Sequence, residues 1–228
     1  MQKLDDDVEY AASALEPMPT MVRSGLVRRV YALLCMQMCL TGGVVAVAMT
    51  QPSVLHLFLM PQFALPCFVA SVAAVCITPC IGHRWPWNIL LLFGATLCLS
   101  VPVATAAAFA PPRNVIMALG ATAVAFGGAV VIVTVAPTRV SSSWGDWLSL
   151  ATLASIPMLM FNIWWPVSNV LFAWLGVMLF LGWIVYDLNV LCTQATVDDA
   201  VVMALHLYLD VINLFMCLLQ LTTGSGQD

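Results

Sequence analysis

The chain has 228 residues, of which 62% are hydrophobic and 8% charged, and its mean hydropathy is +1.00. Soluble globular domains do not have this composition, which belongs to polytopic membrane proteins. The net charge of −4 comes largely from Asp5, Asp6, Asp7, Glu9 and Glu16, and no basic stripe offers a surface to nucleic acid.

Residues 1–22 are polar and acidic, without the basic start and apolar core of a cleaved signal peptide. They read as a disordered cytosolic tail, with the first apolar helix acting as an uncleaved anchor. Seven apolar runs follow, at 26–50, 54–81, 87–110, 115–137, 145–163, 166–192 and 199–221. Each approaches or exceeds the ~20 residues that cross a bilayer. The fifth is the weakest, with Asp146 at its start and Pro157 inside it. The polar breaks are too short for extramembrane domains. Residues 23–222 are therefore expected to form one all-α bundle of seven transmembrane helices, with 223–228 a short polar C-terminus.

With a cytosolic N-terminus, Lys3, Arg23, Arg28, Arg29, Arg84 and Arg139 fall on the cytosolic side and only Arg113 on the other. That asymmetry fits the positive-inside rule with an odd number of spans. Trp85 and Trp87, Trp144 and Trp147, and Trp164 and Trp165 stand at span ends, as interface anchors do. The fourth run carries Ala121, Ala125 and Ala129, a small-xxx-small stripe suited to close helix packing. Nearly all eight cysteines lie inside apolar runs and read as small buried hydrophobes. No Cys/His spacing suggests zinc, and His56 and His83, near opposite ends of the second span, do not share one depth with His206.

The residues that stand out are Asp187, in VMLFLGWIVYDLNVL, and Asp210, in ALHLYLDVINLFMCLLQL. A carboxylate in hydrocarbon is costly, so an intramembrane Asp is by default a functional site with a partner to be named. The two acids are 23 positions apart, and their midpoint falls on the polar pair Asp198 and Asp199. A hairpin turning there puts each acid roughly 17 Å of helix from the turn. Two like carboxylates in one low-dielectric site do not both ionise easily, so a facing pair holds one proton in common. Such a pair is a natural proton sensor or transient cation contact. His206, four residues before Asp210, and Asn213, three residues after it, share its helical face. With Tyr186 beside Asp187 they are candidate modulators of the pair.

Several segments together resemble the transmembrane Bax-inhibitor-motif, or lifeguard, family. RRVYALLCMQMCLTGG is similar to the family's opening R-K-V-Y-x-L-L-x-x-Q-L-x-x-T, and WPWNILLLFGATLCLSVPV to the P-x-N-x-x-L-L-x-x-F-T of its third helix. IVYDLNVL resembles the Y-D-T-Q element, and LHLYLDVINLFMCLLQL the L-N-L-Y-L-D-I-I-N-L-F signature. The resemblance implies six helices around a central seventh. It also implies a pH-sensitive calcium leak of an intracellular membrane, gated by Asp187 and Asp210, that lowers store calcium and suppresses cell death. In that picture calcium is the permeant ion and no cofactor is needed. The partners are the bilayer, calcium and apoptosis-regulating membrane proteins, and the endoplasmic reticulum is favoured over the Golgi or plasma membrane. His206 stands where the family carries Asn, and the second helix lacks the Arg that engages the acids in bacterial members. The Cys- and Met-rich sequence suits a viral member.

Two other classes compete. A non-conducting scaffold would suppress cell death through partners alone. An intramembrane aspartyl protease also carries two Asp on successive helices. Its G-x-G-D and P-A-L elements are absent here, where Leu207, Tyr208 and Leu209 precede Asp210. A retinal-binding receptor needs a membrane lysine, and the only lysine is Lys3. The expectation is a non-enzymatic membrane protein.

Overall fold

The structure, a computed structural model, describes residues 20–81, 86–135, 142–164 and 169–224, without the side chains of 20–21, 79–81, 142, 156–164 and 169. The described residues form eight α-helices and no strand. They are α1 (Thr20–Thr50), α2 (Pro52–Leu59), α3 (Pro61–Ile81), α4 (Trp87–Phe109), α5 (Pro112–Val135), α6 (Ser142–Trp164), α7 (Asn169–Thr193) and α8 (Ala200–Gly224), with a 3-10 turn at Val197–Asp199 before α8. Helices are what hydrocarbon permits, because every backbone donor and acceptor is satisfied within the segment. Six are long and apolar enough to cross a membrane: Val22–Thr50, Pro61–Thr78, Trp87–Phe109, Pro112–Val135, Val170–Thr193 and Val197–Gly224.

The expected span at 54–81 is not one helix. Met60 is extended at φ −68, ψ 122, and the chain restarts as α3 with Pro61 in its first position. Proline disfavours helical geometry in the residue before it and fits a helix start, where its missing N–H costs nothing. Pro52 opens α2 in the same way. By contrast Pro102 lies inside α4, which runs on past it. Helices α1 and α8 extend to Thr20 and Gly224, slightly beyond the boundaries expected at 22 and 222, and the rest of both tails lies outside the described residues.

Helix α8 is the centre of the bundle. It packs against α7, α5, α1, α4 and α3. Its buried residues run from Ala200 through Leu205, Leu207, Asp210, Val211 and Leu214 to Leu219, with no continuous outward stripe. Such all-round burial marks a core helix. Helix α1 instead buries one face, Leu26, Val30, Leu33, Gln37, Thr41 and Ala48, at three- to four-residue spacing with one longer step. On α5 the buried face is Val115, Ala118, Thr122, Ala129 and Val133. Ala125 is partly buried, but Ala121 faces outward, so the packing stripe is rotated from the one expected. The cysteines also depart from expectation. Cys35, Cys39 and Cys76 are on the outer surface, and Cys67, Cys98, Cys192 and Cys217 are only partly covered. In a bilayer a thiol serves as an apolar group on the lipid side too.

The two ends of the bundle are distinct. At one, Arg23 on α1 donates to the Cys192 carbonyl of α7. At the other, the Asn114 amide on α5 donates to the Thr222 carbonyl of α8 at 2.9 Å. Helix α6 packs against α7. Trp183 donates its indole N–H to Thr152 Oγ1 at 3.0 Å, and Tyr186 lies over Gly145.

Candidate functional site

The last two helices form a hairpin closed by a short capped turn. Asp199 accepts hydrogen bonds from the Thr196 amide at 2.9 Å and its hydroxyl at 2.6 Å, a capping box that fixes the start of the 3-10 turn. Beyond it α7 and α8 pack along their length. This register brings the Asp187 and Asp210 carboxyl groups into hydrogen-bonding contact. Asp187 is 4% exposed and Asp210 9%, so the pair is closed off from the outside. Asp187 stands six residues before the end of α7 at Thr193, about 9 Å of helix. The pair is thus nearer the turn end of the bundle than symmetric spacing around Asp198 implies.

Two carboxylates repel at this distance, whereas a carboxylic acid donates to a carboxylate. Such a contact is held when one of the two carries a proton. One oxygen, Asp210 Oδ2, is buried without a hydrogen-bond partner. Among the described residues no Lys or Arg is paired with either acid, and no group of three His, Cys, Asp or Glu side chains converges there.

Of the expected modulators, His206 is at the pair but on the other acid. Its Nδ1 is 3.9 Å from Asp187 Oδ2 and its side chain is 46% exposed. That is an ion-pair distance when the imidazole is charged and too long for a hydrogen bond. His206 thus reaches across to α7 instead of lying along its own helix toward Asp210. Tyr186 is not at the pair. Its ring makes an edge contact with Trp183, centroids 5.7 Å apart, and its hydroxyl lies by Gly145 of α6. Asn213 is half-buried on α8, and no hydrogen bond joins it to the acids among the described residues. Asn189 is buried and donates to the Val185 carbonyl at 2.8 Å. His56 is exposed on α2, and His83 lies outside the described residues.

A second set of polar groups stands in the segments that carry the family resemblance but was given no role from the sequence. Gln37 on α1 donates to Thr96 Oγ1 on α4 at 3.0 Å, and both residues are wholly buried. One turn further along α1, Thr41 Oγ1 is 2.7 Å from the Tyr208 hydroxyl of α8. Gln37 Oε1 has no partner. The available signal was Gln37 and Thr41 at i, i+4 within the uncharged part of α1 that follows Arg29.

The molecule is thus a multi-pass helical membrane protein whose central C-terminal helix meets its neighbour through a buried carboxyl pair. Comparison with known proteins narrows that class. Residues 23–227 match the Bax1-I family, described as inhibitor of apoptosis-promoting Bax1, and the chain belongs to that family. It is 30% identical over 229 residues to the Golgi anti-apoptotic protein of Vaccinia virus (strain Lister), covering 98% of this chain and 95% of the relative. It is 29% identical to protein lifeguard 4 of Mus musculus, over 95% of this chain and 92% of that protein. With protein LIFEGUARD 3 of Arabidopsis thaliana the identity is also 29%, over 94% and 93%.

Proposed function

We propose that the protein is a pH-sensitive calcium leak of an intracellular membrane, gated by Asp187 and Asp210, which lowers store calcium and so suppresses cell death. The observation that carries this reading is the buried contact between the two carboxyl groups, one on α7 and one on the central helix α8. With one proton shared, the contact ties the two helices together. When that proton leaves, two unit charges about 4 Å apart repel by about 4 kcal/mol at an effective dielectric constant near 20. That is enough to favour a separated arrangement by several hundredfold. The same two charges attract a divalent cation. Two carboxyl groups fall short of the six to eight oxygens of a resident calcium site, so the contact is a passing one. The sign follows: closed when the pair is protonated, conducting as pH rises.

The membrane is that of the Golgi or endoplasmic reticulum, the former in line with the printed name of the viral relative. The end of the bundle bearing Arg23, Arg28 and Arg29 faces the cytosol, by the positive-inside rule. Suppression of cell death is supported by family membership and by the anti-apoptotic relative.

The test is reconstitution of the full chain in liposomes holding a calcium dye, with influx followed at pH 6, 7 and 8. Wild type is expected to leak several-fold faster at pH 8 than at pH 6. Asp187→Asn and Asp210→Asn, singly and together, remove the shared proton and leave a flux that does not respond to pH. An absent flux, or one identical in wild type and the double variant, overturns the gate. Absent flux with cell-death suppression intact points to a non-conducting scaffold.

A further inference from the structure

A groove of about 590 Å³ opens beside α1 at the end of the bundle where α5 and α7 finish. Its lining is Arg23, Ser24, Val27, Arg28 and Tyr31 of α1, Val133 and Thr134 of α5, and Cys192 of α7. That volume lies within the range of small-molecule sites. Arg28 is exposed and Arg23 half-buried. Arg23 uses one N–H on the Cys192 carbonyl, which fixes its guanidinium at the groove. Among the described residues no Asp or Glu lines the groove; Asp146, Asp198 and Asp199 belong to the same end but stand outside it.

The depth is that of the membrane–water boundary. The arginines of α1 end at Arg29, before its uncharged run from Val30, and α7 ends at Thr193, one residue past Cys192. Trp144 and Trp147, at the start of α6, are 66% and 70% exposed, as aromatic residues in an interfacial belt are. The Arg23 and Arg28 guanidinium groups and the Tyr31 hydroxyl, beside Val27 and Val133, match a phosphate joined to acyl chains; the Thr134 hydroxyl donates instead to the Val130 and Val131 carbonyls of its own helix. A basic pocket between helix ends is how membrane proteins hold acidic headgroups.

We propose that this groove binds the phosphate headgroup of an anionic phospholipid, with the acyl chains descending past Val27 and Val133 into the bilayer. The proposal does not depend on the calcium leak. It ties three helix ends through a lipid, beyond the single bond from Arg23 to α7.

The test uses the full chain in nanodiscs of phosphatidylcholine containing a minor fraction of phosphatidylserine, with native mass spectrometry of the lipid retained on release into detergent. Phosphatidylserine is expected to be retained in preference to phosphatidylcholine. Arg28→Gln, which spares the Arg23 bond, is expected to cut that preference about fivefold, and Arg23→Gln by at least as much. Arg113→Gln, at the opposite end, leaves it unchanged. Equal retention of both lipids overturns the proposal, as does an equal loss in Arg28→Gln and Arg113→Gln. Displacement of the lipid by millimolar inorganic phosphate makes this a free-anion site instead. A preference that appears only after Asp5, Asp6, Asp7 and Glu9 are changed to amides means that the acidic segment is the occupant, and also overturns it.

Discussion

Among the described residues Tyr208 heads the fully buried side chains by size, and its hydroxyl lies 2.7 Å from that of Thr41 on α1. In a membrane such a bond is worth ~1 kcal/mol, because each group finds other partners when the helices part. Thr41 has an alternative in the carbonyl one turn back on its own helix, which keeps the figure low. Tyr208→Phe is therefore expected to lower stability by about 1 kcal/mol, and Thr41→Val by a similar amount. The double variant should be little worse than either, since both remove the same bond. Thermal unfolding in detergent reads the cycle, and full additivity would show that the hydroxyls do not interact. The contrast with the acids explains what the sequence revealed at this scale. A carboxyl group in hydrocarbon is so costly that Asp187 and Asp210 announce themselves. A Gln or Thr in a membrane helix is cheap, so Gln37, Thr41 and Thr96 did not stand out. Tyr186 lies away from the pair for a geometric reason. Adjacent helical residues point about 100° apart, so a neighbour of Asp187 in sequence faces α6 when Asp187 faces α8.

At the scale of elements, the α7–α8 contact depends on a glycine. A Cβ built on Gly176 would stand 2.5 Å from Cys217 Sγ, closer than carbon and sulfur tolerate. Gly176→Ala is expected to cost about 1–3 kcal/mol, the usual penalty of overpacking. Cys217→Ala removes the sulfur and leaves that residue's Cβ at 3.6 Å, an ordinary contact. The pair of changes should therefore recover most of the loss, and the same unfolding cycle measures it. A loss that Cys217→Ala does not relieve would place the strain elsewhere. Element boundaries were legible where proline and glycine chemistry is local and less so where context decides. Averaged over a span length, hydropathy stays high through residues 54–81 despite Pro61 and Gln62, so the break at Met60 is hidden from it. Pro61 was the signal, but Pro102 shows that a proline alone does not end a membrane helix.

At the scale of the molecule, the topology turns on whether α6 crosses the bilayer; the six spans above concern only residues whose side chains are described, which leaves out 156–164 of α6. Its contacts argue that it does. Gly145 lies by Tyr186, Leu148 by Gly182 and Thr152 by Trp183, so the chain descends α6 while α7 ascends beside it. Helix α6 has 23 residues and α7 has 25, about 35 Å each and enough for the hydrocarbon core. An antiparallel partner of a spanning helix, matched in length, is itself expected to span. The crossings of α1, α3, α4, α5, α6, α7 and α8 then number seven, with α2 too short at 8 residues to add another. Seven crossings put the N- and C-termini on opposite sides. Six would put them on the same side and reverse α7 and α8 relative to α1. That reversal is incompatible with the bond from Arg23, near the start of α1, to Cys192, near the end of α7. A small reporter tag at either end, probed by protease in sealed vesicles, is expected to be cut at one terminus and protected at the other. Cleavage or protection of both would mean that α6 does not cross.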